Sequence, residues 1–208
     1  MAPDPHPDVL RLEAARPSAV SDAVAAAADP AVVVTATALL VSVRSATSPL
    51  SGLGWALFAI GFCVGLPYVA LLVMLRQGTV TDRHLLVREQ RRRPLAVAAV
   101  SVVTGFLLLL GSGAPRPLVA LVAAMAAGLV AMSAVTHWYK ASFHTGVVAG
   151  SAGVLALVFG PLTLVGMVPL TALVGWARVR SGRHAVGQVL VGGLVGAGSS
   201  LLVYPLVS

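Results

Sequence analysis

Long apolar runs alternate with short polar breaks along the chain, and the runs predict membrane helices over 31–44, 52–76, 95–111, 117–138, 145–159, 161–176 and 185–206. A hydrocarbon core of ~30 Å takes about 20 helical residues to cross, and most of these runs reach or approach that length. The expected fold class is all-α, a polytopic transmembrane helical bundle of six or seven spans. Asp29-Pro30 opens the shortest run, where proline suits a first helical turn. Gly113-Ala114-Pro115-Arg116-Pro117 reads as a tight turn between two spans. The decisive stretch is 145–176, because a continuous helix there would reach about 46 Å, too long for one upright span. Gly160-Pro161 lies at its middle and predicts a fold-back into two short helices.

With seven spans, segments 77–94, 139–144 and 177–184 are separated by pairs of crossings and emerge on one face. They carry Arg83, His84, Arg88, Arg91, Arg92, Arg93, Lys140, His144, Arg178, Arg180, Arg183 and His184, with His137 at the margin. The opposite face offers Arg44 and Arg116. Within the spans, Gly61/Gly65, Gly146/Gly150 and Gly192/Gly196 are small-xxx-small pairs of the kind that let helix backbones approach.

Composition agrees with the pattern, since 58% of the 208 residues are hydrophobic and only 10% charged, against about 25% charged in soluble domains. The first 29 residues differ, with four prolines and five acids against two arginines. Residues 1–29 therefore read as a polar, flexible tail, and 30–208 as one membrane-embedded domain. The tail lacks the basic start and apolar core of a secretory signal, so no cleavage is expected. Cys63 is the single cysteine and sits in an apolar run, where packing is its expected role. The net charge of +7 conceals an asymmetry: the tail stands at −3 and the remainder at +10, with Asp82 and Glu89 as its only acids. Buried basic groups are costly unless paired, snorkelling or facing a polar cavity. The positive-inside rule is one explanation of the basic face. A site for an anionic ligand is the other, and it predicts histidines mixed with the arginines.

Three strings on this face carry chemistry: Arg93-Pro94 behind a basic run, Ala141-Ser142-Phe143-His144, and Arg178-x5-His184-x3-Gln188. In that order they resemble the signature blocks of the type-2 phosphatidic acid phosphatase superfamily, KxxxxxxRP, PSGH and SRxxxxxHxxxD, over roughly residues 83–188. The resemblance implies a metal-independent helical membrane phosphatase needing no cofactor. It casts His184 as nucleophile, His144 as general acid, and Arg93 and Arg178 as phosphate ligands. Lys140, Ser142, Arg183 and Arg88 are the further candidates around the phosphate. A neutral imidazole can attack phosphorus and split one hard step into two. Guanidinium forks match phosphate oxygens and stay charged, and phosphoryl transfer asks chiefly for positioning and charge stabilisation.

The chain departs from the pattern at several places. Leu86 stands where the first block has lysine, Ala141 and Phe143 replace Pro and Gly, and Gln188 replaces the aspartate behind the nucleophile. A glutamine carbonyl accepts the ring N–H without offering charge, which implies slower or differently tuned chemistry. The expected substrate is a lipid-borne phosphate or diphosphate carrying a prenyl chain or a diacylglycerol. The bilayer is the expected surroundings, the cytoplasmic face the expected side, and no nucleic acid is expected. A non-catalytic binder of lipid phosphates is the nearer rival, and a transporter the more distant one, since the spans hold no internal ionisable groups. Two acids in the membrane domain are a poor supply for a two-metal site.

Overall fold

The computed structural model describes residues 18–82 and 88–208. These form helices throughout, with no strand among them. Helix α1 (Ala19–Ala27) starts from a reciprocal cap between Ser18 and Ser21. Helix α2 (Pro30–Ser45) starts where the Asp29 carboxylate accepts the Ala31 N–H at 2.9 Å. Helix α3 (Pro49–Ile60) runs through one π turn, Gly61–Gly65, into α4 (Leu66–Arg76). A short 3-10 turn, Arg88–Arg91, leads into α5 (Arg92–Gly111), followed by α6 (Arg116–Trp138), α7 (Phe143–Phe159), α8 (Leu164–Arg180) and α9 (Val186–Val207). The predicted spans match these helices closely, the first included.

Six helical segments are long and apolar enough to cross a membrane, and the seventeen-residue α7 is shorter. The protein is an integral, multi-pass, all-α membrane protein. The hairpin forms as expected: Gly160 takes φ +96°, a conformation open to glycine, and Thr163 closes the turn onto the Gly160 carbonyl. Helix α7 is the bundle's centre, packing on α9, α8, α2 and α6, while α5 lies against α6 and α4 against α5.

The glycine pairs divide into two kinds. Gly146 and Gly150 of α7 meet Gly192 and Gly196 of α9 backbone to backbone, so that a Cβ on Gly196 would overlap the Gly146 carbonyl and one on Gly192 the backbone of Ser142. Gly61 and Gly65 do not make such a seam: a Cβ on Gly61 meets nothing within 4 Å. They belong instead to the π turn. There the Leu66 N–H reaches back to the Gly61 carbonyl, and the Phe62 carbonyl it leaves is taken by the Ser101 hydroxyl of α5 at 2.7 Å. Pro67, one residue on, has no N–H to restore the ordinary ladder.

The expectation of a flexible tail over 1–29 needs correction in its last part. Residues 19–27 are helical, and Val24 and Ala28 pack in a cluster with Val148 and Val174. Asp22, on the other side of this short helix, masked its apolar side. Residues 1–17, Arg83 and His84 lie outside the described residues.

Candidate functional site

Three chain segments are tied together at one end of the bundle. Between α6 and α7, Ser142 caps α7: its hydroxyl accepts the Thr145 N–H at 3.5 Å and the Thr145 hydroxyl at 3.1 Å. The Ser142 N–H donates to the Gln188 carbonyl at 2.9 Å, which pins this loop to the first turn of α9. After α8 the chain turns at Gly182, φ +68°, and the His184 N–H donates to the Arg178 carbonyl at 3.1 Å. The third segment arrives through Arg91, whose Nη1 donates to the Ala141 carbonyl at 3.5 Å. The described residues of 77–94, 139–144 and 177–184 therefore converge as predicted.

The convergence encloses a cluster of basic and polar side chains. Arg178 is 4% exposed, Arg91 and His184 6%, Lys140 7%, His144 and Gln188 9%. Arg91, His144, Arg178, Arg183 and His184 line one end of a cavity of about 900 Å³. Buried Nε of Arg178 and Nη1 of Arg183 have no hydrogen-bond partner. An orphaned buried donor costs about 1–3 kcal/mol, more when charged, so these two are primed for an oxygen-rich anion. Asp22 of α1 and the cap residue Asp29 also line the cavity and lie within the electrostatic reach of Arg178.

Gln188 fixes the state of His184. Its Oε1 accepts the Ala185 N–H at 3.1 Å, which identifies that atom as the oxygen, and it lies 3.2 Å from His184 Nδ1. An amide oxygen only accepts, so Nδ1 carries the proton and Nε2 holds the lone pair. Burial, then the positive charges of Arg178, Arg91 and Lys140, push the His184 pKa from 6.5 down to about 2, and the bond to Gln188 opposes this only in part. The ring is neutral at any physiological pH.

The candidate residues divide by position. His184, His144, Arg178 and Arg183 line the cavity; Gln188 backs His184; Lys140 is buried close enough to act on His184. Ser142 is engaged in capping and does not line the cavity. Arg93, the anticipated phosphate ligand, is exposed and does not line the cavity. Arg91 occupies the site instead. Two helical steps rotate a side chain by about 200°, so Arg91 and Arg93 cannot share a face, whereas Arg91 and Pro94 do, and both line the cavity. That spacing was the available signal, whereas the Arg-Pro string drew attention to Arg93 and away from the arginine that lines the cavity. Arg88 opens the 3-10 turn, and its side chain lies outside what is described. His137 and Trp138 stack edge to face at 5.1 Å and, with Tyr139 and Trp176, are exposed at this end as an aromatic belt requires.

Comparison of the chain with protein-family profiles, with curated proteins and with solved structures finds no match. The functional reading accordingly rests on the chain's own residues.

Proposed function

We propose that the protein is a lipid phosphatase that hydrolyses a membrane-borne phosphate or diphosphate through a phosphohistidine, as its likeness to the type-2 phosphatidic acid phosphatases implies. One observation carries the reading: two histidines and three arginines line one end of a cavity whose remaining walls are largely apolar. An amphiphile with an anionic head and a hydrocarbon tail has the matching distribution of charge and apolar surface. In the first step the Nε2 lone pair of His184 attacks phosphorus. The P–O bond to the lipid breaks, and the leaving oxygen takes a proton from the His144 imidazolium, releasing a lipid alcohol, or a lipid monophosphate if a diphosphate was bound. In the second step the now neutral His144 takes a proton from water, the water oxygen attacks phosphorus, the P–N bond breaks, and inorganic phosphate leaves. Arg178, Arg91 and Arg183 balance charge on the phosphoryl oxygens throughout. The Lys/Arg excess on this face supports a cytoplasmic site.

Gln188 in place of a carboxylate favours a second reading, a protein that binds lipid phosphates without cleaving them. Phosphate release separates the two. Purified protein in detergent, treated with chelator and given phosphatidate and prenyl diphosphates, is expected to release phosphate, and His184→Ala to lose this by at least about a thousandfold while keeping the parent's thermal midpoint. Release at the parent rate by that variant would remove His184 from the role of nucleophile.

A further inference from the structure

The cavity does not stop at the basic end. Along α7 it is lined from His144 to Val154, and along α6 from Met132 to Leu121, which at 1.5 Å per residue makes a shaft about 15–17 Å deep. Its far end is closed by Leu121, Val102 and Val154, which belong to the principal core cluster together with Leu109, Leu118 and Val41. Near the basic end, Ala31 and Val34 of α2 and Pro67, Tyr68 and Leu71 of α4 also line it. Helix α4 buries none of its residues, so this wall borders on lipid.

We infer that the shaft is a length-selective site for the hydrocarbon chain of an anionic amphiphile, entered between α2 and α4, with Leu121 as its floor and Gly128 part-way down its wall. An extended chain advances about 1.2 Å per bond, as three backbone bonds span 3.3–3.6 Å. A depth of about 15–17 Å thus takes a chain of about twelve to fourteen carbons. Lipid is as apolar as the shaft, so selection comes from filling space and not from leaving water. A shorter chain leaves part of the shaft empty, and carbons beyond the floor add no contact.

This inference rests on the basic end being an anion site, as the phosphatase reading also requires, but not on hydrolysis. The test uses n-alkyl phosphates of eight to twenty carbons, competed against radiolabelled dodecyl phosphate at fixed mole fraction in detergent, with phosphate release followed in parallel. Affinity is expected to rise with length and level off at about twelve to fourteen carbons. Leu121→Ala removes about three carbons from the floor and is expected to move the break upward by about that number. A Cβ on Gly128 meets only ordinary contact with Ser199, at 3.5 Å. Gly128→Leu adds four carbons at this wall and is expected to move the break down by about three or four carbons, with its thermal midpoint measured alongside. The opposite directions separate a shaft effect from loss of folding. A break common to all three proteins, or affinity still climbing at twenty carbons, would overturn the inference. Phosphate release without a break leaves the phosphatase standing and removes the shaft; a break without release does the reverse.

Discussion

Gln188 holds the His184 ring by an acceptor that carries no charge, and the ring is surrounded by cations. Its imidazolium is therefore disfavoured, and the depressed value means that the neutral, competent form persists as pH falls well below 6.5. Ionisation of this ring should leave kcat/KM level between pH 7 and pH 5. In Gln188→Asp a carboxylate would stabilise the imidazolium, raise the pKa by about one to three pH units and bring the acid limb upward by the same amount. A pH–rate profile of the two proteins checks this, and an unmoved limb would detach residue 188 from the ring. The arginines give a second contrast at this scale. Arg91→Ala removes a buried, cavity-lining charge, and should weaken lipid-phosphate binding by about ten- to a hundredfold, the range of a charged hydrogen bond. Exposed Arg93→Ala should change it less than about twofold. Competition binding of the two variants decides between the arginine in the Arg-Pro string and the one that points inward.

At the scale of elements, the α7–α9 seam is the contact most sensitive to a single atom. Gly196→Val would force the Gly146 carbonyl away and is expected to cost about 1–3 kcal/mol or more. Gly193→Ala is its control, because a Cβ there finds only the Thr145 methyl at 3.7 Å and should shift stability by less than about 0.5 kcal/mol. Thermal midpoints in one detergent compare the two, and equal midpoints would mean the seam is not closed. The helices themselves were legible in the sequence, since apolar run length and the breaks at Asp29-Pro30 and Gly160-Pro161 are local signals. The partners of each glycine pair were not. Gly61/Gly65 and Gly192/Gly196 have the same spacing, and only the neighbourhood of Pro67 and Ser101 makes the first a π turn. Helix α1 was missed for a related reason: its nine residues are too short for a periodic pattern to outweigh Asp22 and the prolines before it.

For the whole molecule, counting crossings was enough to bring three distant polar segments to one end, because parity of spans is insensitive to errors of a few residues in any boundary. That is why His144, His184 and Arg178 could be grouped from sequence, and why the rotation of one side chain, Arg91 against Arg93, could not. The cavity beneath them was not legible at all, since its walls come from eight helices and no single run records a void. Those walls differ in their mechanics. Behind the histidines, α7 and α9 touch through main-chain atoms at Gly146 and Gly196, which leaves no rotamers to yield. In front, α4 rests on α5 and meets α3 at a turn of wider pitch. Compliance is thus confined to one side: the histidines stand on a stiff backing, and the wall bordering lipid is the one with room to give.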